Sequence, residues 1–120
     1  VENNYKNIII LDKLSRHDLI KKMSQSWLVV FPSLSDISPN TMLDCVQAKI
    51  PFISSKEIGF TGLKKDIKIF DPQKIEEITI CLQDLAAKNN YTNYCQKIKS
   101  LNYDYSYHQA TVDTLKILQS

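Results

Sequence analysis

Four short, largely apolar runs alternate with segments of helical period along this chain, and that alternation restricts the fold more than any other feature. The runs are residues 7–11 (Asn-Ile-Ile-Ile-Leu), 27–31 (Trp-Leu-Val-Val-Phe), 51–54 (Pro-Phe-Ile-Ser) and 67–70 (Ile-Lys-Ile-Phe). Continuous β-branched and aromatic runs are the mark of strands covered on both faces, which is the habit of parallel sheets. The pattern predicts an α/β, Rossmann-like domain with a mostly parallel sheet. Right-handed crossovers then place helices on both faces. Trp27 opens the second run and is expected in the core.

Local signals mark the helices. Ser15 and Asp18 form an S-x-x-D capping box, followed by an apolar stripe of Leu19, Ile20 and Met23. Pro32 ends the second strand. Ser38 suits an N-cap and Pro39 the first helical position, predicting a helix over 39–48. A loop carries Gly59 and Gly62. Asp71-Pro72 repeats the cap-then-proline signal, with Ile75, Ile78, Leu82 and Leu85 on the inward face of the next helix. Asn89-Asn90 reads as a break, residues 92–101 as a short helix, and 104–118 as a last helix with Tyr107, Ala110, Leu115 and Leu118 inward.

At 120 residues the chain has room for one domain, given a usual size of about 100–200 residues. Its formal charge is +2 and scattered, which argues against nucleic acid as a partner. No run approaches the roughly 20 apolar residues of a bilayer span. The first residues lack a signal-peptide pattern, so the chain is expected in the cytoplasm, free or at a membrane surface. Cys45, Cys81 and Cys95 match no zinc spacing and read as buried or half-buried thiols, and no metal is expected. Only two glycines occur, which excludes a glycine-rich phosphate loop.

An anion site must then use a helix N-terminus that lacks glycine. The amides of Asn40 and Thr41 would lie there, past the carboxyl end of a strand, where the helix dipole favours negative charge. Asp44 follows one turn later on the same face and could accept hydrogen bonds from vicinal hydroxyls. Asp36 lies just before the helix, within reach of a second polar group. On spacing alone, solvated surface carboxylates are the ordinary reading of such a pattern and the stronger one.

The residues say more than the spacing. Phe31-Pro-Ser-Leu-Ser-Asp-Ile-Ser-Pro-Asn-Thr-Met-Leu-Asp-Cys-Val-Gln-Ala-Lys-Ile-Pro-Phe-Ile-Ser resembles a stretch of the GT-B glycosyltransferases, most closely family 4, the "group 1" enzymes. That family reads P-S-x-x-E-x-x-P-N-x-x-L-E-A-M-A-x-G-x-P-V-I. The chain matches it at Pro32, Ser33, Pro39, Asn40, Leu43, Pro51 and Ile53, with Asp36 and Asp44 at the two glutamate positions. Upstream, residues 11–19 resemble the family's first loop and helix. Downstream, Phe70-Asp71-Pro72 and the last helix resemble its closing segments.

The resemblance implies the C-terminal, donor-binding domain of a hexosyltransferase that uses a UDP-, GDP- or ADP-linked sugar without a metal or other cofactor. Asp44 would hold ribose hydroxyls, and Asp36 the donor sugar or its phosphate. Ser38, Asn40 and Thr41 would take the diphosphate, and Lys13 and Leu14 would border the base. It also implies a partnering N-terminal acceptor domain, without which no transfer is expected. The family's first strands and its upstream Arg and Lys would precede residue 1. A sheet edge left open would favour a dimer. Three departures stand out. Both glutamates are aspartates, shortening reach by about 1.5 Å. Asp12 replaces a glycine. Lys49 replaces a glycine that commonly ends the helix in the left-handed region, at a cost of roughly 1 kcal/mol. These departures favour a second reading, a non-catalytic GT-B-like interaction or regulatory module. A third, a receiver-like signalling domain, has only the single acid Asp12 after the first strand in its favour.

Overall fold

The computed structural model describes residues 6–36, 40–59, 61–102 and 107–120. The chain is α/β, built as α1 (Arg16–Ser24), β1 (Val29–Phe31), α2 (Asn40–Ala48), β2 (Phe52–Ser55), α3 (Thr61–Lys64), β3 (Ile69–Phe70), α4 (Ile75–Ala86), α5 (Lys88–Ser100) and α6 (Tyr107–Gln119). The sheet has order β1-β2-β3, all parallel, with Val29 opposite Phe52 and Ser54 opposite Ile69. All four residues of β2 are buried. Successive side chains in a strand point to opposite faces, so both faces of this strand are covered. Around it Phe52, Phe70, Met42, Ile53, Leu63, Leu85 and Ile98 are fully enclosed.

The expected cap at Ser15 forms. Its hydroxyl oxygen accepts the Asp18 N–H at 3.1 Å and its proton goes to the Asp18 carboxylate at 2.8 Å. The box is thus closed between side chains rather than through the Ser15 amide. Helix α2 starts at Asn40, and the cap expected at Ser38-Pro39 lies outside the described residues. Its other end is a Schellman motif. The Ile50 N–H reaches the Cys45 carbonyl at 2.9 Å and the Lys49 N–H the Val46 carbonyl at 3.3 Å. Lys49 adopts φ 60°, the left-handed conformation in which glycine most often ends a helix. Its ammonium donates to the Leu101 carbonyl at 2.7 Å, tying the end of α2 to the end of α5.

One hydroxyl enters the sheet. Ser54 and Lys56 donate to Lys68 and Phe70 across the β2–β3 pair. Continued by that alternation, the next rung would join the Lys68 N–H to the Phe52 carbonyl. Tyr94 takes its place, accepting from Lys68 at 3.0 Å and donating to Phe52 at 2.5 Å.

Several expectations are corrected. Residues 8–11 form no strand, and Ile8, Ile9, Ile10 and Leu11 are exposed. β1 is three residues long and nowhere fully buried. A strand beside it would gain a few hydrogen bonds of about 1 kcal/mol each while fixing residues at about 1–2 kcal/mol apiece. Trp27 is 48% exposed. It stacks on Tyr91 at 4.9 Å instead of entering the core, and the Tyr91 hydroxyl donates to its carbonyl. Asp71 caps a turn and not a helix, accepting from the Gln73 and Lys74 amides at 3.0 Å each. Helix α4 therefore begins at Ile75. Ile75 and Leu82 face solvent, and the inward stripe is Ile78, Cys81 and Leu85. The helix break falls at Ala87. Asn90 lies inside α5, and its side-chain amide caps α4 by donating to the Asp84 carbonyl and carboxylate. In α6, Ala110, Leu115 and Leu118 are exposed rather than inward, and only Val112 is half-buried among the side chains described there. The Tyr107 side chain lies outside those described.

Replacing Lys49 tests the Schellman end. Lys49→Ala keeps the left-handed strain and loses the Leu101 bond, and should destabilise by about 1 kcal/mol. Lys49→Gly relieves the strain as it loses the bond, and should stay within about 0.5 kcal/mol of the parent. Denaturant melts of the two variants measure the difference.

Candidate functional site

Helix α2 starts just past the carboxyl end of β1, the edge at which parallel α/β sheets hold ligands. Asn40, Leu43, Asp44 and Gln47 recur every three or four residues and share one face. Helix α1 lies alongside, with Leu14 and Arg16 flanking its cap and Leu19 one turn in. Together with Thr41 these residues line an open cleft of about 630 Å³. Small-molecule sites commonly span about 300–1,000 Å³.

The centre of the cleft is an ion pair. The Asp44 side chain is only 9% exposed, and a buried carboxylate needs a partner to offset its lost hydration. Arg16 supplies it with a two-point contact, Nη2 to Oδ1 at 2.5 Å and Nε to Oδ2 at 3.3 Å. The Arg16 side chain is itself 74% exposed. These hydrogen bonds, and then the carboxylate's charge, raise the guanidinium's pKa above its ordinary value. Among the described residues lining the cleft, Arg16 is the single base and Asp44 the single acid. Leu14, Leu19 and Leu43 make the apolar wall, and Asn40, Thr41 and Gln47 supply neutral polar groups.

Cys45 lies behind Asp44 with no exposure, its Sγ 3.8 Å from the Met23 sulfur. Burial, and then the charge of Asp44, pushes its thiol up to about 12. Cys45 is thus an inert core residue behind the cleft lining.

The cleft therefore gathers four of the residues singled out from sequence: Leu14, Asn40, Thr41 and Asp44. Lys13 is exposed and does not line it. Asp36 is half-buried and lies outside it. Its backbone joins the loop after β2, donating to the Glu57 carbonyl at 3.0 Å and accepting from the Gly59 N–H at 2.8 Å. Ser38 lies outside the described residues. Arg16, Leu19, Leu43 and Gln47 were not anticipated. Arg16 had a signal. It is the one arginine beside fourteen lysines, and guanidinium alone offers a rigid fork to a carboxylate.

A second cavity, of about 320 Å³, is lined by Lys68, Asp84, Asn90 and Tyr94 among others. Four of its polar side chains are engaged in structural contacts. Lys68 pairs with Asp84 at 2.6 Å, Asn90 caps Asp84, and Tyr94 bridges Lys68 and Phe52. That arrangement reads as structural. Among the described residues no group of three or more His, Cys, Asp or Glu gathers to hold a metal, and no helix is long and apolar enough to cross a membrane.

No family model, no curated protein and no solved structure matches this chain.

Alkylation checks the inertness of Cys45. Near pH 8 only about one Cys45 thiol in ten thousand would be ionised with its pKa at about 12. Iodoacetamide should leave Cys45 unmodified in the folded chain and modify it after unfolding, as read by peptide mass spectrometry.

Proposed function

We propose that the chain is the donor-binding domain of a GT-B glycosyltransferase of the family 4 type, taking a nucleoside-diphosphate sugar and presenting its hexose to an acceptor held by another domain. The observation that carries this reading is the shared cleft. The resemblance assigns Leu14 to the base, Asn40 and Thr41 to the diphosphate and Asp44 to the ribose of one ligand, and these residues line a single opening at the carboxyl edge of a parallel sheet. In this reading Asp44 accepts from the ribose hydroxyls. The first turn of α2 faces the diphosphate, where its dipole helps stabilise the leaving group. Leu14, with Leu19 and Leu43, offers the base an apolar wall. Lys13 and Asp36 lie outside the cleft lining, and in this reading they would meet the base and the donor sugar beyond it. The chemistry needs no metal if positive charge is supplied by protein groups.

One observation favours the second reading, a non-catalytic GT-B-like module. Asp44 is already engaged by Arg16 at two points, as a carboxylate kept only to join two helices would be.

Titration of ¹⁵N-labelled chain with UDP, GDP and ADP separates the two. Concentrations of about 10 mM reach affinities as weak as roughly 3 kcal/mol. A donor domain should show shifts within residues 14–19 and 40–47 for one of the three. Asp44→Asn should weaken that binding by about tenfold, the loss of one good charged contact, with the circular dichroism unchanged. No shift with any of the three would sink the donor reading and leave the module.

A further inference from the structure

We infer that Arg16 is the ligand for the phosphate groups of whatever occupies the cleft, held in position for that task by Asp44. The inference rests on the donor-domain reading and adds the source of the positive charge that reading requires.

The argument starts from hydrogen-bond capacity. A guanidinium carries five N–H donors in one plane and accepts nothing. Asp44 takes one from Nε and one from Nη2. Three remain, two on Nη1 and one on Nη2, and they make the neighbouring edge of the same plane. That edge matches two oxygens of a phosphate as well as it matches a carboxylate. The side chain is 74% exposed although its charge partner is 9% exposed, so Asp44 anchors the group from the protein side and leaves its outer part in solvent. An exposed arginine ordinarily loses rotamer freedom when it binds, at up to about 2 kcal/mol. Here the ion pair has already fixed the rotamer, which is the advantage of a preorganised site.

The alternatives within the cleft are few. Among its described lining residues no other cation is present, and Asn40, Thr41 and Gln47 are neutral. Asp44 alone would repel an anion. With two of its roughly four lone-pair sites given to Arg16, it keeps capacity for hydroxyl donors while its charge is balanced. The pair thus presents a cationic edge to phosphate and acceptor oxygens to hydroxyls, side by side. A nucleoside diphosphate carries both kinds of group on adjoining parts of one molecule. A lysine would keep the charge and lose the fork.

The test uses the full chain with inorganic pyrophosphate, UDP, GDP, ADP and the three matching nucleosides, followed by NMR and calorimetry. The expected result is that pyrophosphate and one nucleoside diphosphate shift the Arg16 Nε–H resonance. Arg16→Lys and Arg16→Ala should each weaken both ligands by about tenfold or more, and the matching nucleoside by less than about twofold. Lys21→Ala, which removes a charge from the same helix away from the cleft, should change pyrophosphate affinity by less than about twofold. If Arg16→Ala is poorly folded by circular dichroism, Arg16→Lys decides alone. A nucleoside diphosphate that binds in the cleft and is weakened by Asp44→Asn but unaffected or tightened by both Arg16 variants overturns the role of Arg16 and keeps the donor reading. Failure of the wild-type chain to bind pyrophosphate or any of the three nucleotides overturns both.

Discussion

Everything in this fold is arranged around a strand that touches no water. Phe52, Ile53, Ser54 and Ser55 are buried in sequence, so β2 needs a neighbour on each edge and a layer on each face. β1 and β3 supply the edges, and the core side chains of the helices supply the layers. Its two serines are accommodated because neither is left without a bond. The Ser54 hydroxyl donates to the Ser55 carbonyl, and the Ser55 oxygen accepts the Glu57 N–H. The outer strands, with one neighbour each, are shorter and less covered. Burial decreases outward from β2, until at residues 8–11 and at α6 apolar side chains face solvent.

The same logic of compensation shapes the cleft. A carboxylate on α2 is buried, so a cation must come to it, and the nearest helix brings one. Arg16 can do so because the Ser15 cap fixes where α1 begins. A local signal of four residues therefore sets the position of a contact that spans 28 positions. At the other end of α2, Lys49 anchors to Leu101. The helix that carries the candidate site is thus held at its middle by Arg16 and at its carboxyl end by Lys49.

What the sequence made legible was what is decided locally. The Ser15–Asp18 cap, the strand cores at 29–31 and 52–54 and the body of the helix expected over 39–48 follow from short-range sterics and hydrogen bonding, whereas the left-handed Lys49 was legible only through the resemblance. Misreadings came where a local signal has two uses. Asp71-Pro72 opens turns as readily as helices. Asn90 looked like a breaker because its side chain competes with backbone, and here it does compete, but from inside one helix to cap another. Residues 8–11 have strand composition, yet pairing is a property of the partner. In the cleft, the spacing 40/44 was visible and the guanidinium was not, because its contact crosses from one helix to the next and no period along the chain records it.

The Tyr94 hydroxyl has a consequence for how the sheet can deform. A ladder made of backbone groups comes apart only when its strands separate. The rung between Phe52 and Lys68 is instead a phenol borrowed from α5, and burial keeps that phenol protonated well beyond its usual range. Rolling α5 about its axis would withdraw the rung without moving either strand. The spacing of β2 and β3 at their amino ends is thus a hinge with its pin in another layer, and α5 sets how far the sheet is spread.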